Sequence, residues 1–208
     1  MLRISFLSFT LLLGLVSAAF AADAEDEIWE GMRSGAYIAL MRHALAPGTG
    51  DPPRFTLEDC STQRNLSEEG RVQAAQTGAL FERNGIAKAE VYSSRWCRCL
   101  ETARLLNLGP VQQLPALDSF FQDRRKEEPQ TRALLDWLSS RNLSRPIVLV
   151  THQVNITALT GIFPQSGEIV VIRVDKDNRI EVVGRLIARD KPANHHQTSS
   201  KSGEALDI

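Results

Sequence analysis

Short unbroken apolar runs alternate along this chain with longer stretches in which apolar residues return every three or four positions. The first run, Ala36-Tyr37-Ile38-Ala39-Leu40-Met41, stops abruptly at Arg42-His43. A run so short and continuous reads as a strand buried on both faces, as in a parallel sheet. A second run, Pro146-Ile147-Val148-Leu149-Val150-Thr151, stops in the same way at His152. Between them, Glu90 to Ser94 reads as a shorter strand and Val111 to Leu114 as a weak one. Helical spacing predicts helices over Asp26 to Arg33, from the N-cap Ser67 to the stop Asn84-Gly85, and over Arg98 to Leu106, Thr131 to Asn142 and Val154 to Gly161. In the second of these, Val72, Ala75, Leu80 and Phe81 are expected to face inward; in the fourth, Leu134, Leu135 and Leu138 are, with Trp137 partly so. Glu168 to Val174 and Arg179 to Ile187 alternate around Asp175-Lys176-Asp177-Asn178, a hairpin signal. Strands alternating with helices predict an α/β domain: a mostly parallel sheet covered on both faces, closed at one edge by a C-terminal antiparallel hairpin.

The ends of the chain have other patterns. Arg3, the apolar stretch Ile4 to Val16 and Ala19-Phe20-Ala21 have the layout of a cleavable signal peptide, expected over 1–21. The apolar stretch is short for a membrane span, and acidic residues follow it, so stable membrane insertion is not expected after cleavage. The mature protein is expected to be exported, most simply to a bacterial periplasm, or secreted. The globular domain is expected over 26–189, and the polar, aperiodic stretch 190–208 reads as a disordered tail. A net charge of −1 gives no reason to expect a nucleic-acid partner, so any preference for anions must come from a local cluster. In an oxidising compartment the odd set Cys60, Cys97 and Cys99 suggests one bridge, from Cys60 to Cys97 or Cys99, and one buried thiol.

Chemistry gathers where strands end. Ligands of open α/β sheets bind outside the carboxyl ends of the strands. Arg42 and His43, Arg98 just beyond Ser94, and His152 all stand at such ends. Arginine offers a planar fork that matches phosphate oxygens, and a neutral imidazole can be a nucleophile. These residues therefore suit a phosphoryl group gripped by guanidinium groups and approached by a histidine nitrogen. The turn-rich loop from Pro47 to Pro53, with Phe120 and Phe121, is expected to shape the mouth of the pocket.

Four segments, in order, resemble the histidine phosphatase superfamily, the phosphoglycerate-mutase-like fold. They are Leu40-Met41-Arg42-His43-Ala44, Asn65 to Ala74, Val91-Tyr92-Ser93-Ser94 through Arg98 to Thr102-Ala103, and Val148 to His152. The resemblance covers nearly the whole mature domain and implies a three-layer αβα sandwich and a phosphatase. It implies that His43 becomes a phosphohistidine, that Arg42 and Arg98 bind the phosphoryl oxygens, and that His152 donates a hydrogen bond to them. Arg64 is a candidate further substrate ligand. No cofactor or metal is implied, since the arginines supply the positive charge, and the partner is a small phosphate ester; the oligomeric state is left open.

The pattern is broken in three places. Ala44 stands where glycine is usual, and Arg95 where proline is. Gln153 follows His152, where an acidic residue often supplies the leaving-group proton, and glutamine cannot do so. Asp118 and Asp123 lie near the alternative position, and neither is assigned. That gap motivates a second reading, a phosphoryl-binding module without turnover that uses the same arginines and histidines.

Overall fold

The structure is a computed structural model that describes residues 24–188 apart from 142, 143 and 178. The leader expected over 1–21 and the tail expected over 190–208 lie outside the described residues. Helix α1 (24–34) ends at Gly35, whose φ is +82°. It is followed by β1 (Ile38–Arg42), α2 (Glu68–Arg83), β2 (Glu90–Ser93), α3 (Cys97–Leu105) and β3 (Val111–Gln113). Then come α4 (Glu127–Ser139), β4 (Ile147–Thr151), α5 (Gln153–Thr160), β5 (Ile169–Val174) and β6 (Ile180–Leu186).

The six strands form one sheet in the order β3-β2-β4-β1-β5-β6. The pairs β3-β2, β2-β4 and β4-β1 are parallel, while β5 runs antiparallel to both β1 and β6. Alternate residues of the strands feed two separate cores. Ala39, Met41, Val91, Val148 and Val150 pack with Trp29, Met32, Phe81 and Ala103 of α1 to α3. Ile38, Leu40, Tyr92, Ile147 and Leu149 pack with Leu134, Leu138 and Ile156 of α4 and α5. The sheet is thus sandwiched between two helical layers, which is why β1 and β4 read as unbroken apolar runs.

Two expectations about helix faces are corrected. Val72 is 49% exposed and Ala75 is exposed; the buried stripe of α2 is Gly70, Ala74, Thr77, Gly78 and Phe81. The reason is closeness. A Cβ on Gly78 would lie 2.2 Å from the carbonyl oxygen of Leu106, so the α2–α3 contact admits only small side chains. Helix α4 begins at Glu127, four residues before the expected Thr131, because Pro129 lies within its first turn, where a missing N–H costs nothing. Leu135 is only half-buried, and Asn142, the expected end of this helix, lies outside the described residues.

Candidate active site

Strand register brings the chemistry together. The His43 N–H donates to Thr151 O at 2.9 Å, and the Ser94 N–H donates to Val150 O at 3.0 Å. The residues just past β1, β2 and β4 therefore share one edge of the sheet. There the rings of His43 and His152 stand 5.6 Å apart, centroid to centroid. Both line a cavity of about 230 Å³ together with Arg42, Arg64, Arg98 and Asp51. All five residues expected at the site, His43, Arg42, Arg98, His152 and Arg64, meet in this one cavity.

The motif residues around the site hold it in place. Ser67 caps α2, its hydroxyl accepting from the Gly70 N–H at 3.1 Å. A Cβ on Gly70 would lie 2.0 Å from Leu45 O, so only glycine lets the start of α2 press on the segment after His43. The Gln73 amide oxygen accepts from the Leu45 N–H at 3.0 Å, and its amide nitrogen donates to Ser166 O at 2.9 Å. Thr102 Oγ1 accepts from the Ala44 N–H at 3.1 Å and donates to Arg98 O at 2.7 Å. Ala44 is fully buried and is not among the described residues with positive φ, so its departure from glycine strains nothing.

His43 has its tautomer set by a neighbour. Nδ1 lies 2.7 Å from Ala44 O, an acceptor only, so Nδ1 carries the proton and Nε2 keeps its lone pair. Burial, and then the charges of Arg98, Arg64 and Arg42, hold its pKa well below the usual 6.5, against the weaker opposing pull of the Ala44 carbonyl. His152 is held down likewise, by burial first, then by Arg98 and the other neighbours. Its Nε2 lies 2.8 Å from Ser94 Oγ, and its Nδ1 lies 3.3 Å from Arg98 Nη2, which donates to it. A guanidinium only donates, so Nδ1 is bare and Nε2–H donates to Ser94 Oγ, whose own hydroxyl donates to Asp118 Oδ1 at 3.3 Å.

The arginines are unevenly engaged. Arg98 sits between Asp51 and His152, and its Nε is buried without a partner. Arg42 Nη1 donates to Pro164 O at 2.9 Å, while its Nε is also buried and unpartnered. Arg64 donates from Nε to Gly50 O at 2.8 Å and from Nη1 to Ala46 O. Burial and the nearby Arg98 lower its pKa to about 10, so it stays charged. Three guanidinium side chains and two neutral imidazoles around one cavity form a site for an anion.

Asp51 was missed in the sequence, where a carboxylate between Gly50 and Pro52 reads as part of a turn. Its two oxygens take Arg98 Nη1 at 2.7 Å and Nη2 at 3.2 Å, the Trp96 indole N–H at 3.0 Å and the Arg64 N–H at 3.1 Å. Burial alone would push this carboxyl up, but the hydrogen bonds and the charge of Arg98 outweigh it and hold the pKa below the usual carboxylate range. The other two acids considered for proton donation lie outside the cavity. Asp118 is gripped by the Arg95 N–H at 2.9 Å and by Arg95 Nε at 2.7 Å, so the arginine that replaces proline commits this carboxylate. Asp123 pairs with the exposed Arg125. Of the expected mouth residues, Phe121 and the segment Gly48 to Asp51 line the cavity, whereas Phe120 is 1% exposed and belongs to the core. The disulfide joins Cys60 to Cys97, tying the loop before α2 to the start of α3, and Cys99 is the buried free thiol.

Residues 38–124 match the model of the histidine phosphatase superfamily (branch 1). No curated protein matches in a sequence search. Solved structures share the fold. The protein histidine phosphatase SixA complexed with tungstate aligns at a TM-score of 0.52 and 14% identity, over 73% of this chain and 97% of that one. A mycobacterial glucosyl-3-phosphoglycerate phosphatase aligns at 0.51 and 15% identity, over 71% and 96%. A mycobacterial hydrolase aligns at 0.54 and 16% identity, over 76% and 93%.

Proposed function

With residues 38–124 a histidine phosphatase superfamily segment, we propose that this chain is an exported phosphatase that hydrolyses a small phosphomonoester through a phosphohistidine on His43. The observation that carries this reading is the His43 Nδ1–Ala44 O bond, which leaves Nε2 with its lone pair in a cavity rich in guanidinium groups. In the first step His43 Nε2 bonds to phosphorus as the P–O bond breaks. The electron pair leaves on the ester oxygen, which takes its proton from solvent. Water then attacks the phosphohistidine, the P–N bond breaks, and inorganic phosphate and the original imidazole are released. Positioning and charge compensation supply most of the catalysis of such transfers. Three guanidinium groups and one carboxylate leave a surplus of two positive charges in the cavity, which matches a phosphomonoester dianion.

Export is part of the proposal. The layout of residues 1–21 and the disulfide between Cys60 and Cys97, a bond that persists in oxidising compartments, both support it. The engagement of Asp51 by four donors favours a second reading, a phosphoryl-binding module without turnover.

One experiment separates the two. The mature chain is incubated with 4-nitrophenyl phosphate and quenched in base, which preserves phosphohistidine. Mass spectrometry should then find one phosphoryl group on the peptide containing His43, and turnover should vanish in His43→Ala. Phosphate binding without turnover would replace the enzyme by the binding module.

A further inference from the structure

The lining of the cavity changes character from floor to mouth. The floor residues His43, Arg98 and His152 are 2%, 2% and 3% exposed. At the mouth stand Phe121, 44% exposed, and Phe163, 69% exposed. Single exposed apolar residues are ordinary. Here, however, two of the four large hydrophobic residues exposed among the described residues line the same small cavity. They come from separate loops, one before α4 and one after α5. A ligand whose phosphoryl group reaches the floor must pass its organic part along these two rings. Flat faces of this kind favour stacking or edge contact with another ring.

The chemistry of the floor points the same way by an independent route. Asp51 is the one carboxyl in the described lining, and all its contacts are with donors. A carboxylate so engaged holds no proton to give. The ester oxygen therefore departs as an anion. A phenolic oxygen, with pKa about 10, tolerates this far better than an aliphatic one, whose pKa is near that of water at about 16.

We propose that the cavity selects aryl phosphomonoesters, with the aromatic leaving group received by Phe121 and Phe163 while the arginines hold the phosphoryl group; this rests on the phosphatase reading above. The aryloxide leaves with the P–O electron pair as His43 Nε2 bonds to phosphorus, and it is protonated by solvent outside the cavity.

The test compares phenyl phosphate with glycerol 3-phosphate on the mature chain, reading kcat/KM, which reports the transfer to His43. The aryl ester should exceed the alkyl ester by at least about 100-fold, the order of what a missing acid withholds from a poor leaving group. Phe121→Ala and Phe163→Ala, both at exposed positions, should each raise KM for phenyl phosphate about 5-fold and leave inhibition by inorganic phosphate unchanged. If the two esters are turned over equally, the aryl preference is overturned and the phosphatase reading stands; if KM moves in neither variant, the seating of the leaving group on Phe121 and Phe163 is overturned. If neither ester is turned over, both fall.

Discussion

Arg98 and Asp51 face each other as a two-pronged ion pair, Nη1 to Oδ1 at 2.7 Å and Nη2 to Oδ2 at 3.2 Å, with side chains only 3% and 5% exposed. A guanidinium gripping a carboxylate inside an anion site has two effects. The pair holds the plane of Arg98 fixed, and it moderates the positive charge that an incoming phosphoryl group meets.

Removing the carboxylate leaves a buried cation uncompensated, a change that typically costs about 3–5 kcal/mol. Asp51→Ala should therefore lower the melting temperature by about 6–20 °C. Inorganic phosphate, which supplies the missing negative charge, should restore more stability to the variant than it adds to the wild type. Thermal melts with and without phosphate check this; an equal gain in both proteins would mean that Asp51 and the ligand do not share Arg98.

The acid side of the pH–rate profile should be displaced. His43 attacks only when Nε2 is unprotonated, and burial with the neighbouring guanidinium charges lowers its pKa well below 6.5. The enzyme-derived loss of kcat/KM should begin well below 6.5, after correction for the substrate's own second ionisation near 6. A loss centred at 6.5 would mean that the imidazole is not in the environment described.

The same two histidines link stability to pH. Their pKa values are lowered in the folded chain, by burial first in each case, while the unfolded chain takes up these protons near 6.5. Protonation thus draws the ligand-free protein toward the unfolded state. Their contribution is fully present above 6.5 and is lost as pH falls below it, by about 1.4 kcal/mol per pH unit for each histidine. Urea titrations from pH 8 to 5 should follow this sign, and His152→Asn should shallow the slope.

Gly70→Ala should destabilise, although alanine ordinarily favours a helix over glycine. The new Cβ would meet Leu45 O at 2.0 Å, forcing α2 away from the segment after His43. A loss of about 1–3 kcal/mol is expected, with reduced turnover from the displaced histidine. Chemical denaturation and phosphatase assays report both; a stabilised variant would show that α2 does not press on this loop.

Much of the fold was legible because it rests on local periodicity. The apolar runs ending at His43 and His152 marked the strands buried on both faces, and Ser67 and Gly161 marked helix ends. At Val72 size misled, because α2 meets α3 through its small residues and turns the larger valine to solvent.

The site divides along the same line. The order of residues along the chain, with the resemblance it carries, picked out His43, Arg42, Arg98, His152 and Arg64, and the structure places all five around one cavity. Which carboxylates are free was decided only in three dimensions. Asp51 and Arg98 are 47 residues apart, and Asp118 and Arg95 are 23 apart. Nothing local foretells either pairing, because an ion pair depends on where the folded sheet brings two loops, and no periodicity records that.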